Sequence, residues 1–378
     1  MDFSLCAIYK NEEKNLEKFI TDHSGLVEEM ILVDTGSTDR SNEIVRDHGL
    51  PYYFFEWINH FAAARNHSLS LATKPWIIVL DIDEQVLKED FQRLNTIMTE
   101  KQKDAYSLKQ INFTDNFEDM NWKSVSLLPE EFHSLADGYI ESPLIRVFRN
   151  HKGVCFHGAI HELVGESLNQ LKLSSCITDI PIYHLGWVGA GRNDEEKQRK
   201  KKAYRDMILR EFEKDPSPKM AFYYLSTLEN PAEQLRMAFH LTKIYPGVKQ
   251  FWDIMARTAA GLSQWPRALS YAEKGLDHHP GHVPLLIIKA KCLNETARPS
   301  DALDILQPLL KKDPLQPVYW FETFRSLLLL RRREEAETLA RQLPPQFPPS
   351  LAKELLGILK EKGRENPLSP AYHEDKKP

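Results

Sequence analysis

Four prolines, Pro246, Pro280, Pro314 and Pro348, stand 34 residues apart, and that interval governs the second half of the chain. Small residues keep the same interval. Ala268, Ala302 and Ala336 form one row, and Ala238 and Ala272 begin another that continues through Leu306 and Ala340. Independent rows on one period mean a supersecondary unit repeated in space, each copy burying its apolar face only against its neighbours. Small side chains let two antiparallel helices approach. Proline, which lacks an N–H and clashes with the preceding turn, stops the second helix before the next unit begins. Residues 249–349 hold at least three such helix pairs, with an earlier degenerate one around Lys219–Pro246.

From residue 3 to about 110 the chain follows a different rule. Apolar runs at Leu5–Ile8, Met30–Val33, Tyr52–Phe55 and Trp76–Leu80 alternate with Glu12–His23, Arg40–His48 and Phe61–Ala72, which have helical spacing. Ser37-Thr38-Asp39 supplies N-cap chemistry ahead of Arg40, and Gly49-Leu50-Pro51 closes that helix. Strands alternating with helices at this rhythm predict right-handed crossovers and a parallel sheet. Asp104–Asn112, Leu144–Phe148 and Ile177–Tyr183 add strands after the rhythm is lost. The expected organisation is an α/β domain over residues 1–205, an all-α repeat domain over 206–360 and a flexible tail over 361–378. A 34-residue period of helix pairs is the tetratricopeptide signature.

Composition narrows the partners. The 378 residues suffice for two or three domains, and a formal charge of −5 offers nucleic acid or an anionic membrane no overall attraction. No apolar run approaches the ~20 residues of a transmembrane helix. Met1-Asp2-Phe3-Ser4 lacks the positive start of a signal peptide. Cys6, Cys155, Cys176 and Cys292 form no C-x-x-C pair, which speaks against a zinc knuckle or a disulfide framework. These features predict a cytoplasmic protein with no nucleic-acid partner and no transmembrane segment.

Chemistry concentrates where Trp76-Ile-Ile-Val-Leu80 runs into Asp81-Ile-Asp83-Glu84. A short apolar run reads as a strand buried on both faces, and open α/β sheets bind ligands beyond the C-terminal ends of their strands. Carboxylates clustered there repel one another unless something positive sits between them. A divalent cation carrying a phosphorylated substrate meets that need; a polar turn closing the strand is the competing reading. Asp34, in Asp34-Thr-Gly-Ser37-Thr-Asp39, would face the same pocket. It suits a bond to a base or ribose, with Ser37 and the following helix N-terminus as polar neighbours, but an Asx turn and helix cap would use the same residues. Glu12 fits that edge as well, or is a solvated first-turn residue. Arg65, in Phe61-Ala-Ala-Ala-Arg65-Asn66, would reach a base or phosphate, or form a surface salt bridge.

His157, His161 and Glu162 in Phe156-His-Gly-Ala-Ile-His-Glu162, with His184 in Tyr183-His184-Leu-Gly-Trp187, are the ingredients of a zinc centre. The H-E-x-x-H order that sets two histidines on one helix face is missing. One histidine acting as ligand to a hard cation, or as an acid or base, is the better reading. The basic run Lys197–Lys202 with Arg205 reads as a solvated helix face, with a pyrophosphate contact as the alternative.

Assembled, these motifs resemble family 2 glycosyltransferases of the GT-A fold. The resemblance rests on Asn11-Glu12-Glu13, Val33–Asp39, Phe61–Asn66, Trp76–Glu84, Val147-Phe-Arg149-Asn150, Phe156–Glu162 and Tyr183–Trp187. It covers roughly residues 3–190 by motif and the repeats by architecture. Within the family the chain most resembles the sublancin-type peptide S-glycosyltransferases, which carry C-terminal tetratricopeptide repeats. The resemblance implies a nucleotide-diphospho-sugar transferase domain with a mixed, mainly parallel sheet. It implies that Asp34 contacts the uracil or ribose of a UDP-sugar, with Glu12 and Arg65 near the same nucleotide and Ser37 as a polar contact. Asp81 and Asp83 match the D-x-D motif: Asp81 would support the nucleotide-sugar, Asp83 would bind Mg²⁺ or Mn²⁺, and His184 would complete the metal–diphosphate site. Two departures stand out. Ile82 fills a middle position where small residues are common, and the E-D pair that many members carry late in the domain has no counterpart. Glu162 and His161 are therefore the candidate bases, beside Asp83 in the catalytic set.

The implied activity is metal-dependent, inverting transfer of a sugar from UDP-glucose or UDP-N-acetylglucosamine to a peptide or protein side chain, a Ser/Thr hydroxyl or a Cys thiol. The repeats would offer a surface to that acceptor, or to a second subunit in a homodimer. The alternatives are a cell-surface polysaccharide or lipid-linked acceptor, and a repeat scaffold whose α/β half has lost catalysis. The presence of Asp34, Arg65, Asp81 and Asp83 together counts against the scaffold.

Overall fold

The structure, a computed structural model, describes residues 1–186, 194–347 and 349–361. Trp187, Pro348 and the expected tail beyond 361 lie outside the described residues. Two compact units emerge: Met1–Phe113 with Tyr139–Glu211, and Thr114–Gly138 with the chain from Phe212 onward.

In the first unit, β1 (Phe3–Tyr9), β2 (Glu29–Asp34), β3 (Tyr53–Phe54) and β4 (Trp76–Val79) alternate with α1 (Leu16–His23), α2 (Ser41–Asp47) and α3 (Phe61–Leu71). Next come β5 (Glu84–Gln85), α4 (Lys88–Lys101) and β6 (Ala105–Thr114). An excursion containing the short β7 (Lys123–Ser124) leads to β8 (Gly138–Arg149), α5 (Gly165–Gln170), β9 (Ser175–His184) and α6 (Asp194–Lys214). The strands lie in the order β3-β2-β1-β4-β8-β6-β9-β5. The first four run parallel, β8 joins β4 antiparallel, β9 is parallel to β6, and β5 is antiparallel to β9. The sheet is mixed and mainly parallel, the GT-A-like arrangement that the resemblance implies.

Why the central strands lack polar alternation is visible in the packing. Phe3, Leu5, Ala7 and Tyr9 of β1 join Leu32 and Ile78 in a core covered by Phe19 of α1, Val45 of α2 and Leu94 of α4. The intervening Cys6, with Ile31, Val33, Ile77 and Val79, packs on the opposite face with Ala62 and Leu69 of α3 and Leu168 of α5. A period of two with helices on both sides buries every position. One boundary differs from expectation: the helix foreseen from Glu12 begins at Leu16. Asn11 takes a φ of +56°, and the Glu12 carbonyl accepts from the Asn15 and Leu16 amides, so Asn11–Glu13 form a turn instead.

The second unit is built of helices α7 (Pro218–Ser226), α8 (Pro231–Ile244), α9 (Lys249–Gly261), α10 (Trp265–His278), α11 (Val283–Glu295), α12 (Pro299–Lys312), α13 (Pro317–Leu329), α14 (Arg333–Arg341) and α15 (Pro349–Glu361). Ala268, Ala302 and Ala336 are each wholly buried, as close helix approach requires. Pro246, Pro280 and Pro314 follow the ends of α8, α10 and α12. The repeat extends to single bonds. The Trp252 indole donates to the Pro246 carbonyl at 2.9 Å, and Trp320, two periods on, donates to that of Pro314 at 2.7 Å. Among the described residues no helix is long and apolar enough to cross a membrane.

Residues 114–138, the excursion between β6 and β8, belong with the helices. Trp122 is 1% exposed in a cluster with Leu303, Trp320, Phe324, Phe347 and Leu351. Phe117 packs its ring 5.7 Å from that of Phe321, and Lys291 Nζ lies 3.0 Å from Glu118 Oε1. A single boundary after residue 205 therefore differs from the compact units, because long-range burial of this arm leaves no periodic mark in the sequence.

Candidate active site

The loops that follow β1 and β2 are bonded to each other. Ser37 Oγ accepts from the Asn11 amide at 3.0 Å, Ser41 Oγ from that of Glu12 at 2.8 Å, and Asp39 Oδ2 from that of Glu13 at 3.1 Å. In return Asn11 Oδ1 accepts from the Thr38 amide at 2.8 Å. Asp34, 1% exposed, stands behind this seam. Its Oδ1 accepts from the Gly36 and Ser37 amides at 3.1 and 2.8 Å, and its Oδ2 from Asn42 Nδ2 and the Tyr52 hydroxyl at 3.1 and 3.2 Å. A carboxylate offers about four acceptor sites, so Asp34 is occupied by the Asx turn that the sequence offered as its second reading. Glu12 Oε2 accepts from Asn15 Nδ2 at 2.7 Å.

Beyond β4 the acids separate into two groups. Asp81 lies between two guanidinium groups: Arg65 Nη2 donates to its Oδ1 at 2.6 Å and Arg146 Nη2 to its Oδ2 at 3.1 Å. Arg65 Nε also donates to Glu162 Oε1 at 2.6 Å, and Arg146 Nη2 to Glu84 Oε1 at 2.7 Å. The result is an alternating chain, Glu162–Arg65–Asp81–Arg146–Glu84, with both arginine side chains 8% exposed. Burial opposes ionisation of Asp81, but Arg65 and Arg146 outweigh it and hold the carboxyl well below its ordinary range. For Glu84, burial dominates and pushes the carboxyl up against the pull of Arg146. Arg65 is thus a buried bridge, not a surface salt bridge.

Asp83 belongs to the other group. Its Oδ2 lies 3.4 Å from His184 Nε2, and His184 Nδ1 lies 2.9 Å from Asn112 Oδ1. Asn112 Nδ2 points to acceptors on Gln110 and Ser142, which orients its amide oxygen toward the imidazole. That oxygen accepts a ring proton on Nδ1 and turns Nε2 toward Asp83. Burial works against a charged His184, yet the Asp83 carboxylate more than offsets it and raises the imidazole above its ordinary range. Ile82, between the two acids, is 6% exposed and packs in the core with Leu80 and Val86.

Gly186 permits this arrangement. A Cβ there would stand 1.9 Å from Asp83 Oδ2 and 2.8 Å from its Cγ. If Asp83 holds the divalent cation that the resemblance implies, Gly186→Ala, by pushing the carboxylate aside, is expected to weaken its binding about tenfold or more, the scale on which supporting residues act. Calorimetric titration of Mn²⁺ in the presence of UDP checks this, and an unchanged affinity would show that the carboxylate has room to move.

The segment from Phe156 to Glu162 is clamped to α3. Asn66 Oδ1 accepts from the Phe156 amide at 2.8 Å while its Nδ2 donates to the Phe156 carbonyl at 3.0 Å, and the Phe61 amide donates to Ala159 O at 2.8 Å. The Arg65–Glu162 pair completes the clamp. His161 has a φ of +51°, and its Nε2 lies 3.2 Å from the Tyr204 hydroxyl of α6, the helix that carries the basic run. His157 Nε2 lies 3.4 Å from Cys155 Sγ. The three histidines weighed for zinc therefore face three different sets of partners.

Residues 4–160 match the profile of glycosyl transferase family 2, and residues 259–320 that of a tetratricopeptide repeat. Residues 4–160 thus form a family 2 glycosyltransferase domain, and tetratricopeptide repeats follow it. A TPR repeat-containing protein of Synechococcus elongatus is 31% identical over 169 residues, 45% of this chain and 37% of that protein. The SPbeta prophage-derived glycosyltransferase SunS of Bacillus subtilis is 25% identical over 250 residues, 65% of this chain and 54% of SunS. The chain thus spans about a third to a half of the length of these relatives. The crystal structure of S. aureus TarS aligns with 76% of this chain and 90% of its own, at 15% identity and a TM-score of 0.36.

Within the glycosyltransferase domain the structure brings Arg65, Asp81 and Glu162 to one place and Asp83 to His184; the sequence reading set Asp83 with His184, but Arg65 beside Asp34 and Glu12, and Glu162 near the acceptor. It missed Arg146, Gln110 and Asn112. Arg146 had a signal: a lone cation in the apolar stretch Leu144-Ile-Arg146-Val-Phe148 of β8. Gln110 and Asn112 had none, since amides on a strand are ordinary.

Proposed function

We propose that the chain is a metal-dependent, inverting glycosyltransferase that moves a sugar from a UDP-sugar, UDP-glucose or UDP-N-acetylglucosamine, to a hydroxyl or thiol of a peptide or protein. The observation that carries this reading is the Asp83–His184 pair at 3.4 Å, at the C-terminal edge of the sheet. A carboxylate oxygen and an imidazole nitrogen held face to face suit a shared cation, which would take the place of the proton between them. Among the described residues no three His, Cys, Asp or Glu side chains gather to hold a metal by themselves. A hard divalent ion that takes one or two protein ligands and completes its shell with phosphate oxygens fits that count. Mg²⁺ or Mn²⁺ would be held by Asp83 and His184, and when bound it would offset negative charge on the departing diphosphate.

The chain's own residues do the rest. Asp81, locked between Arg65 and Arg146, stays ionised and holds Arg65 at the edge of the nucleotide site. Arg65 Nη1 is buried with no hydrogen-bond partner, the donor left over for an anionic ligand. Asp34 and Ser37 shape the turn facing the nucleotide rather than grip it, since the Asp34 oxygens are already engaged. Glu12 lies in the partner loop and does the same. Glu162 is the base we favour: Arg65 engages its Oε1, and Oε2 takes the acceptor proton as the nucleophile attacks the anomeric carbon opposite the leaving UDP. His161, beside Tyr204, is the alternative. A peptide acceptor on the repeats would have to use surface other than that taken by the arm, because Glu118 and Phe117 already lie against α11 and α13.

Two measurements test this. Calorimetry should show UDP binding that requires Mn²⁺ or Mg²⁺ and is abolished by chelator. Mass spectrometry of peptides co-expressed with the chain should show hexose or N-acetylhexosamine adducts. No binding of UDP with either cation would overturn the reading. Binding without transfer to any peptide would favour a polysaccharide or lipid-linked acceptor.

A further inference from the structure

Arg146 lies outside every motif of the transferase reading, yet it is the side chain on which the Asp81–Glu84 turn is hung. It projects from β8, where the register pairs the next residue, Val147, with Ile78 of β4. One nitrogen, Nη2, donates both to Asp81 Oδ2 at 3.1 Å and to Glu84 Oε1 at 2.7 Å, the two ends of the turn. The turn is closed within itself as well: the Glu84 amide donates to Asp81 O at 2.9 Å, and Glu84 Oε2 accepts from the Asp81 amide at 2.8 Å. Gln110 Nε2 adds a donor to Glu84 Oε1 at 2.5 Å. Asp83 sits inside this closed turn, and its carbonyl accepts from the Leu185 amide at 2.7 Å, next to His184.

As a device for stability, Arg146 is poor. Its Nε is buried with no hydrogen-bond partner, and buried ion pairs are commonly no better than apolar packing of the same volume. Orientation is what it supplies. With both ends of the turn tied to one rigid guanidinium on a neighbouring strand, the Asp83 carboxylate is left facing His184.

We propose that Arg146 is a positioning residue for the divalent-cation and diphosphate site, acting through Asp81 and Glu84 without touching the ligand. The inference rests on the transferase reading for the identity of that ligand. Lysine keeps the charge of Arg146 but carries it on a flexible stem, without the rigid planar guanidinium that sets Nη2 between the two carboxylates. Arg146→Lys is therefore expected to keep the fold and the thermal midpoint, while Mn²⁺ affinity in the presence of UDP, read by calorimetry, falls about 10- to 100-fold. The double variant Arg146→Met, Glu84→Gln, which removes the charge together with one of its partners, should show the same loss. It takes the place of Arg146→Lys if that variant does not fold. A folded variant with unchanged Mn²⁺–UDP affinity would overturn the proposal while the transferase reading stands. Failure of both variants to fold would make Arg146 a structural residue and overturn it too. Absence of Mn²⁺–UDP binding by the unaltered chain would overturn the transferase reading, and this inference with it.

Discussion

Asp83→Ala is expected to lower sugar transfer by roughly a hundred- to ten-thousand-fold, with the loss in kcat at saturating donor. Metal stabilisation of a leaving diphosphate is worth several kcal/mol, and each 1.36 kcal/mol is about a factor of ten in rate. Asp83 is the natural target because its carboxylate is the acid of this turn left outside the arginine chain; its close side-chain partner among the described residues is His184, at 3.4 Å. The fold should survive, since the side chain is partly exposed and anchors no packing cluster. Steady-state transfer assays over a range of Mn²⁺ concentrations give the result. Activity equal to that of the unaltered chain, with the same Mn²⁺ dependence, would remove Asp83 from the metal site. Asp81→Ala makes a useful contrast. It would leave Arg65 and Arg146 without their shared counter-charge in a buried setting, so its losses should include stability as well as rate.

Trp122→Ala is expected to destabilise the helical unit by about 3–5 kcal/mol, the usual cost of truncating a buried aromatic to alanine. For a unit of this size that lowers the unfolding midpoint by on the order of 10 °C. Trp122 is 1% exposed among Leu303, Trp320, Phe347 and Leu351, so its removal leaves a cavity bounded by side chains of several helices. Gly138→Ala should act at the same place by crowding, because a Cβ at Gly138 would meet the indole at 2.2 Å. Differential scanning calorimetry of the full chain would register both. A change within about 0.5 kcal/mol, as for a surface site, would mean that the arm is not part of the helical core.

The fold was legible wherever a local rule repeats. Leu5–Ile8, Met30–Val33 and Trp76–Leu80 announced strands because burial on both faces demands unbroken apolar runs, and the pleat places them as expected. Where two loops compete for the same donors, local rules failed. The start of α1 moved to Leu16 because Asn11–Glu13 bond the neighbouring loop instead of continuing a helix. In the site, Asp81 and Asp83 are two residues apart and read alike in the sequence, yet among the described residues arginines bind Asp81 and not Asp83. Their difference comes from partners 16 and 65 positions away in the chain. No spacing rule reaches that far.

By itself, then, the sequence determined the element order, the mainly parallel sheet, the helical repeats and the strand ends where acids gather. Each of these follows from periods of two, 3.6 or 34 residues, which depend on near neighbours. Tertiary structure alone decided that residues 114–138 join the repeats, that Asp34 is spent on an Asx turn, and that Arg146 ties down the turn presenting Asp83. Those outcomes depend on which charges and apolar groups meet when distant segments are desolvated together. Pairing of that kind is settled by three-dimensional proximity and leaves no period in the sequence.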